Sequence, residues 1–258
     1  MNNLFIVGAQ RSGSTYLYQA LDSHPQVSMI HPVRPEPKFF MKEQLIAQGK
    51  EHYEQTYFAD RKPETRYLGE KSTSYIESPE AAHRIRAFYP DARILMILRD
   101  PVLRAYSNYR FSVAHKLEPL NFAGALAAEP GRLQSAAFNT SVTPYAYRQR
   151  GHYIDYIESY LEVFDASQLC VLIFEEFVNN LASVQRLYRW LEIEQDFVPP
   201  SLDEVFNPAA VEKKEQDAAF RDLALGYRDP IARLECFLGR RIEAWHAHHQ
   251  TILSGATV

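Results

Sequence analysis

Three short runs in this chain are apolar at every position: LFIV at residues 4–7, ILMIL at 94–98 and LCVLIF at 169–174. A strand with one wet face alternates apolar and polar residues. Runs of this length without alternation mark strands covered on both faces. VSMI and RYLGE read as further strands. Helical patterns lie between them. From Ser14, residues Leu17, Ala20 and Leu21 fall at helical spacing, and His24-Pro25 ends that helix. SPEAAHRIRAFYP has Ser78 as N-cap and Pro79 in the first helical position. Asp100-Pro101 opens another helix, through about His115. A long helix is expected from Tyr145 to Phe164, another around Val184–Leu191, and the C-terminal third reads as helical to near Trp245. Strands alternating with helices specify an α/β fold with a mostly parallel central sheet and helices on both faces. A single domain over 1–258 is expected, since no linker or repeat interrupts the pattern.

Composition excludes several function classes. The formal charge of −4 argues against a nucleic-acid surface, so any anion site must be a local cluster. Two cysteines, Cys170 and Cys236, support neither a disulfide framework nor a cysteine zinc site, and Cys170 reads as a buried thiol. The apolar runs are too short to cross a bilayer, and no basic segment precedes an apolar leader. A soluble, cytoplasmic protein without a transmembrane segment is the expectation.

In parallel sheets, ligands bind beyond the carboxyl ends of the strands. Three segments occupy such positions: Gly8–Thr15, Glu70–Tyr75 and Arg99–Ser107. The first, GAQRSGST, has the glycine spacing of a P-loop of the nucleotide-binding type. Gly8 and Gly13 let the backbone curl, Ser12, Ser14 and Thr15 add hydroxyl donors, and the helix N-terminus adds partial positive charge. Ser14 stands where the nucleotide-hydrolysis loop has lysine, and Arg11 is the loop's only cation. Such a loop suits a ligand without a β/γ-phosphate chain; the competing reading is a ligand-free turn. In RDPVLRAYS, Arg99 and Ser107 can grip a second phosphate, with Arg104 one turn into the helix. The alternative pairs Arg99 with an acidic neighbour and leaves Ser107 in solvent.

Together these stretches resemble the sulfotransferases that use 3′-phosphoadenosine 5′-phosphosulfate. FIVGAQRSGSTYLYQALDSHP is similar to the family's 5′-phosphosulfate loop, and ILMILRDPVLRAYSNY to its 3′-phosphate motif R-x-P-x-x-R-x-x-S. EPKFF (Glu36–Phe40) resembles the segment with the catalytic glutamate in heparan-sulfate-type carbohydrate sulfotransferases, and GEKSTSY their E-K-S-x-x-Y loop. The resemblance implies one nucleotide held by Gly8, Arg11, Ser12, Gly13, Ser14, Thr15, Arg99 and Ser107. It implies in-line attack by an acceptor hydroxyl or amine, with Glu36 as general base, Arg11 facing the leaving phosphate, Lys71 near the reacting groups, and no metal.

Other readings stay open at this level. Glu36 can be a surface carboxylate paired with Arg34 or Lys38, and Lys71 can pair with Glu70 at the surface. His31 and His115 are the histidine candidates for a base. Tyr153 belongs to a core stripe or lines the acceptor cleft. Lys213 or Lys214 in VEKKEQ stands where the family has a nucleotide-covering loop, against the plainer reading of a solvated charge run. The WHAHHQ cluster, with His246, His248 and His249, reads as an exposed tail rather than a metal site. A P-loop kinase with an altered loop and a non-catalytic nucleotide-binding protein are the rival functions. Acceptor loops are expected at Pro32–Lys42 and Glu118–Thr143, together with the C-terminal helices and with the aromatics Phe39, Phe40, Phe122, Phe138 and Tyr145. Their few cations favour a neutral sugar, a lipid-linked glycan or a small metabolite over a highly sulfated polyanion.

Overall fold

The structure, a computed structural model, describes residues 1–134, 143–204 and 217–255. The chain forms two compact units: Met1–Leu98 with Ile157–Asn207, and Arg99–Tyr156 with Pro208–Val258.

The first unit is built on a five-stranded sheet in the order β2-β3-β1-β4-β5. Its strands are β1 (Asn2–Gly8), β2 (Val27–Met29), β3 (Tyr67–Lys71), β4 (Arg93–Leu98) and β5 (Leu169–Ile173), and every pairing is parallel. These are the five segments expected. β1 is the innermost strand, with β3 on one side and β4 on the other, so the strand order reverses at its carboxyl end.

Alternation along the strands sorts side chains to two faces. Leu4 and Ile6 of β1 and Leu95 and Ile97 of β4 face a core with Leu17 and Leu21 of helix α1 (Ser14–Asp22). Val184, Leu187 and Tyr188 of α9 (Leu181–Trp190), which follows the single turn α8 (Phe174–Phe177), join the same core. Each fully buried Leu or Ile stabilises the fold by about 1.5–3 kcal/mol. Phe5 points the other way, with its ring centroid 5.5 Å from Phe40 and 5.9 Å from Tyr89. That face is an aromatic layer, completed by Phe39, Tyr53 and Phe88. Two helices that the sequence pattern did not reveal, α2 (Glu43–Ile46) and α3 (Gly49–Tyr57), bring Tyr53 to it. Between β3 and β4 runs α4 (Pro79–Phe88), and Ser78 caps it by accepting from the Ala81 N–H at 3.1 Å. Cys170 is half-buried on β5, less enclosed than the buried thiol expected, and burial pushes the thiol up to about 12.

The second unit contains α5 (Pro101–Ala114), α6 (Phe122–Gln134) and the first turn of α7 (Tyr153–Leu161). It also holds α10 (Asp217–Gly226), α11 (Arg228–Leu238) and α12 (Glu243–Ser254). The long helix expected from Tyr145 does not form before Tyr153. The backbone N–H groups of Arg148 and Gln149 donate to the buried Glu129 carboxylate at 2.7 and 2.9 Å instead of to a helical carbonyl. Gly151 lies so close to Tyr227 that a Cβ there would clash with the Tyr227 hydroxyl. The C-terminal helix runs past Trp245 to Ser254. Among the described residues, no helix is long and apolar enough to cross a membrane.

Candidate active site

The loop after β1 lies where the strand order reverses. Gly13 closes it at φ 86°, the left-handed region that favours glycine, and α1 begins at Ser14 with no side-chain cap on its N-terminus. A Cβ on Gly13 would stand 2.5 Å from the Phe174 ring. Arg11 also has a left-handed backbone, φ 66°, which costs a non-glycine residue about 1–2 kcal/mol. Ser12 is fully buried, and its Oγ has no hydrogen-bond partner among the described residues. A buried hydroxyl left unpaired costs about 1–3 kcal/mol. An uncapped helix N-terminus, an orphaned buried hydroxyl and backbone strain at the loop's cation converge between Arg11 and Ser14. That donor set fits a tetrahedral anion.

One strand away, β3 carries Lys71 to the same edge: Lys71 is paired with Ile6 of β1, and the Ser72 N–H donates to the Ile6 carbonyl at 3.1 Å. Glu36 meets it there. Lys71 Nζ donates to Glu36 Oε1 at 2.5 Å. Thr73 supplies its backbone N–H to Oε2 at 3.0 Å and its hydroxyl to both oxygens, at 3.0 and 3.1 Å. The Lys71 side chain is 3% exposed and that of Glu36 16%, so the ammonium is enclosed while the carboxylate still reaches solvent.

In the second unit, Arg99 follows β4 directly, and its carbonyl accepts from the Tyr153 hydroxyl at 2.8 Å. Asp100 caps α5 as expected, its Oδ1 accepting from the N–H groups of Val102 and Leu103 at 2.9 and 3.1 Å. Its Oδ2 faces two imidazoles, His248 Nδ1 at 2.9 Å and His249 Nε2 at 3.1 Å. Burial by itself would raise the Asp100 carboxyl, but the hydrogen bond with His248 and the charge of the two histidines override it and hold it well below the usual carboxylate range. Arg104 is fully buried and donates to the Tyr147 carbonyl, and Ser107 is buried on the same helix.

The sulfotransferase domain family matches residues 1–240 of this sequence. The chain belongs to that family. A bifunctional heparan sulfate N-deacetylase/N-sulfotransferase 1 from Caenorhabditis briggsae is 30% identical over 202 residues, covering 74% of this chain and 22% of the relative. The human protein of the same description is 31% identical over 175 residues, covering 66% and 19%. The chain therefore spans about a fifth of the length of these relatives. A solved sulfotransferase from Alicyclobacillus acidocaldarius superposes with a TM-score of 0.76 at 29% identity, covering 95% of this chain and 99% of that one.

The structure decides several of the readings that the sequence left open. Glu36 pairs with Lys71 and Thr73, not with Arg34 or Lys38 as a surface carboxylate would. Lys71 does not pair with Glu70, which is fully buried and accepts from Tyr53, Tyr75 and Ser72 instead. Phe39 and Phe40 are fully buried in the aromatic layer, so they do not line an acceptor pocket. Of the histidine candidates, His31 contacts Asp22 and Tyr18, and His115 contacts the Phe111 carbonyl of its own helix. Tyr153 is buried against Trp245, which supports its core reading. The WHAHHQ cluster is not a tail: it lies in α12, and His249 is buried. Lys213, Lys214 and Phe138 lie outside the described residues. Thr73 was missed, because both its backbone N–H and its hydroxyl act on a carboxylate 37 positions away, a pairing that local sequence does not advertise.

Proposed function

We propose that this sulfotransferase moves a sulfuryl group from 3′-phosphoadenosine 5′-phosphosulfate to an amine or hydroxyl of a carbohydrate, with glycolipids and small hydroxylated metabolites as the remaining acceptor classes. The observation that carries this reading is the Glu36 carboxylate, fixed by Lys71 and Thr73 one strand away from the anion-fitting loop. The donor supplies an electrophilic sulfur on a 5′-phosphate. Gly8, Ser12, Gly13, Ser14 and Thr15 would hold that phosphate, and Arg11 would offset the charge gathering on it. Arg99 and Ser107 are assigned to the 3′-phosphate by their motif.

Glu36 would take the acceptor's proton. A carboxylate offers about four lone-pair sites. Lys71 takes one on Oε1, the Thr73 N–H takes one on Oε2, and the Thr73 hydroxyl shares its single proton between the two oxygens. Three donors against four sites leave one site on the carboxylate for the proton. Lys71 offsets the carboxylate's charge and fixes its orientation, so the base is aimed before the acceptor arrives. The amine option rests on the N-sulfotransferase relatives.

The test uses labelled donor and two probes, an N-deacetylated heparosan oligosaccharide and its N-acetylated form. Glu36→Gln should lower sulfate transfer by about 10²–10⁴-fold while adenosine 3′,5′-bisphosphate still binds without magnesium. At about 100 times its dissociation constant that nucleotide should add about 2.7 kcal/mol of stability. Stabilisation by magnesium-ATP alone would overturn the sulfuryl-donor reading in favour of a kinase. Unchanged turnover in Glu36→Gln would remove Glu36 from the reaction.

A further inference from the structure

The segment Glu70–Tyr75 sends neighbouring residues to opposite faces of the sheet. Lys71 reaches Glu36 at the strand's carboxyl edge. Glu70 turns into the aromatic layer on the side of Phe5, its partner in the β1–β3 register. There the carboxylate collects three short hydrogen bonds: Tyr75 Oη donates to Oε1 at 2.5 Å, Ser72 Oγ to Oε1 at 2.6 Å and Tyr53 Oη to Oε2 at 2.7 Å. Burial raises its carboxyl above the ordinary range, against the pull of the three donors. A fully buried carboxylate is expensive to keep in a core.

Two of its donors are themselves acceptors. Tyr75 Oη accepts from the Phe40 N–H at 2.9 Å, and Ser72 Oγ accepts from the Lys38 N–H at 3.0 Å. Because each hydroxyl gives its own proton to Glu70, its lone pairs are turned toward the backbone of residues 38–40. The carboxylate thus sets the direction of two relays, and both end on the segment that begins at Glu36.

Building on the proposed role of Glu36, we infer that Glu70 is a positioning residue: through Tyr75 and Ser72 it pins the backbone at Lys38 and Phe40 and so aims the Glu36 carboxylate at Lys71 and Thr73. The arrangement gives each polar side chain of Glu70–Ser72 and Tyr75 a distinct task. Glu70 orients, Lys71 contacts the base, and Ser72 and Tyr75 relay. Tyr53, from α3, occupies the remaining carboxylate oxygen.

The test compares Glu70→Gln, Tyr75→Phe and Glu36→Gln in the full chain. A glutamine keeps the shape of Glu70 but puts an NH₂ donor against Tyr53 in one amide orientation and against both Tyr75 and Ser72 in the other. Tyr75→Phe keeps the ring and removes one relay, so it reports even where Glu70→Gln fails to fold. In both variants the thermal shift with adenosine 3′,5′-bisphosphate should persist. The kcat for labelled sulfate transfer, to the oligosaccharide or to water, should fall by about 10–100-fold, as expected for a misaimed group. The KM for the oligosaccharide should change little, and the Glu36 carboxyl carbon and Lys71 ammonium resonances should shift. Adding Tyr75→Phe to Glu36→Gln should cost nothing further. The inference is overturned if Tyr75→Phe folds, keeps kcat within about twofold and leaves both resonances in place while Glu36→Gln abolishes transfer. If Glu36→Gln itself leaves transfer intact, the reading of Glu36 fails, and the two resonances still decide whether Glu70 orients that carboxylate.

Discussion

Replacing Gly13 by alanine tests whether the loop after β1 is built as tightly as its geometry requires. Two costs combine. An L-residue held at φ 86° carries about 1–2 kcal/mol of backbone strain. The new Cβ would also stand 2.5 and 2.7 Å from Phe174 Cδ2 and Cε2, far inside van der Waals contact, and displacing a packed ring costs about 1–3 kcal/mol. The expected loss is therefore about 2–5 kcal/mol, a large share of the roughly 5–15 kcal/mol typical of a folded domain. Urea unfolding of wild type and Gly13→Ala measures it. A double-mutant cycle with Phe174→Leu separates the parts. Relieving the ring should return the packing share, giving a coupling of about 1–3 kcal/mol, while the backbone share remains. A loss below about 0.5 kcal/mol, or a coupling near zero, would mean the loop relaxes freely and would refute the argument that it is a rigid cradle.

Two further substitutions probe other parts of the molecule. Ser12→Ala removes a buried hydroxyl that lacks a partner. It should leave the free protein as stable or up to about 1 kcal/mol more stable, and should shrink the thermal shift given by adenosine 3′,5′-bisphosphate. Differential scanning fluorimetry with and without nucleotide checks both, and a destabilised free protein with an undiminished shift would assign Ser12 to the scaffold. Asp100 has its folded-state carboxyl depressed below its unfolded value, so its contribution is present above the ordinary carboxylate range and lost as pH falls through the depressed value. Wild-type stability should therefore drop below about pH 4 more steeply than that of Asp100→Asn. Denaturation midpoints between roughly pH 2 and 6 test this, and parallel curves would contradict it.

Much of the fold was legible because apolar runs such as ILMIL and LCVLIF have no competing explanation at their length. The caps at Ser78 and Asp100 were legible for a similar reason: each is followed by proline, which suits the first helical position. The expected helix from Tyr145 failed because its periodicity is local, whereas the Glu129 carboxylate that captures the Arg148 and Gln149 amides comes from about twenty residues away. The loop residues Gly8–Thr15 were readable from spacing. Glu36 was not separable from a surface carboxylate until Lys71 and Thr73 stood beside it, 35 and 37 positions along the chain. His248 and His249 were misread because a histidine run near a chain end resembles a tail until its buried partner is known.

Opposite facing of Glu70 and Lys71 carries a constraint on redesign. Deleting one residue from β3 ahead of them would shift both by one position: the Lys71 ammonium would enter the layer of aromatic rings, and Ser72 would take the place of Lys71 beside Glu36. Redesign of this protein should therefore leave the length of this strand untouched and diversify the loops, where added or lost residues do not exchange inside for outside.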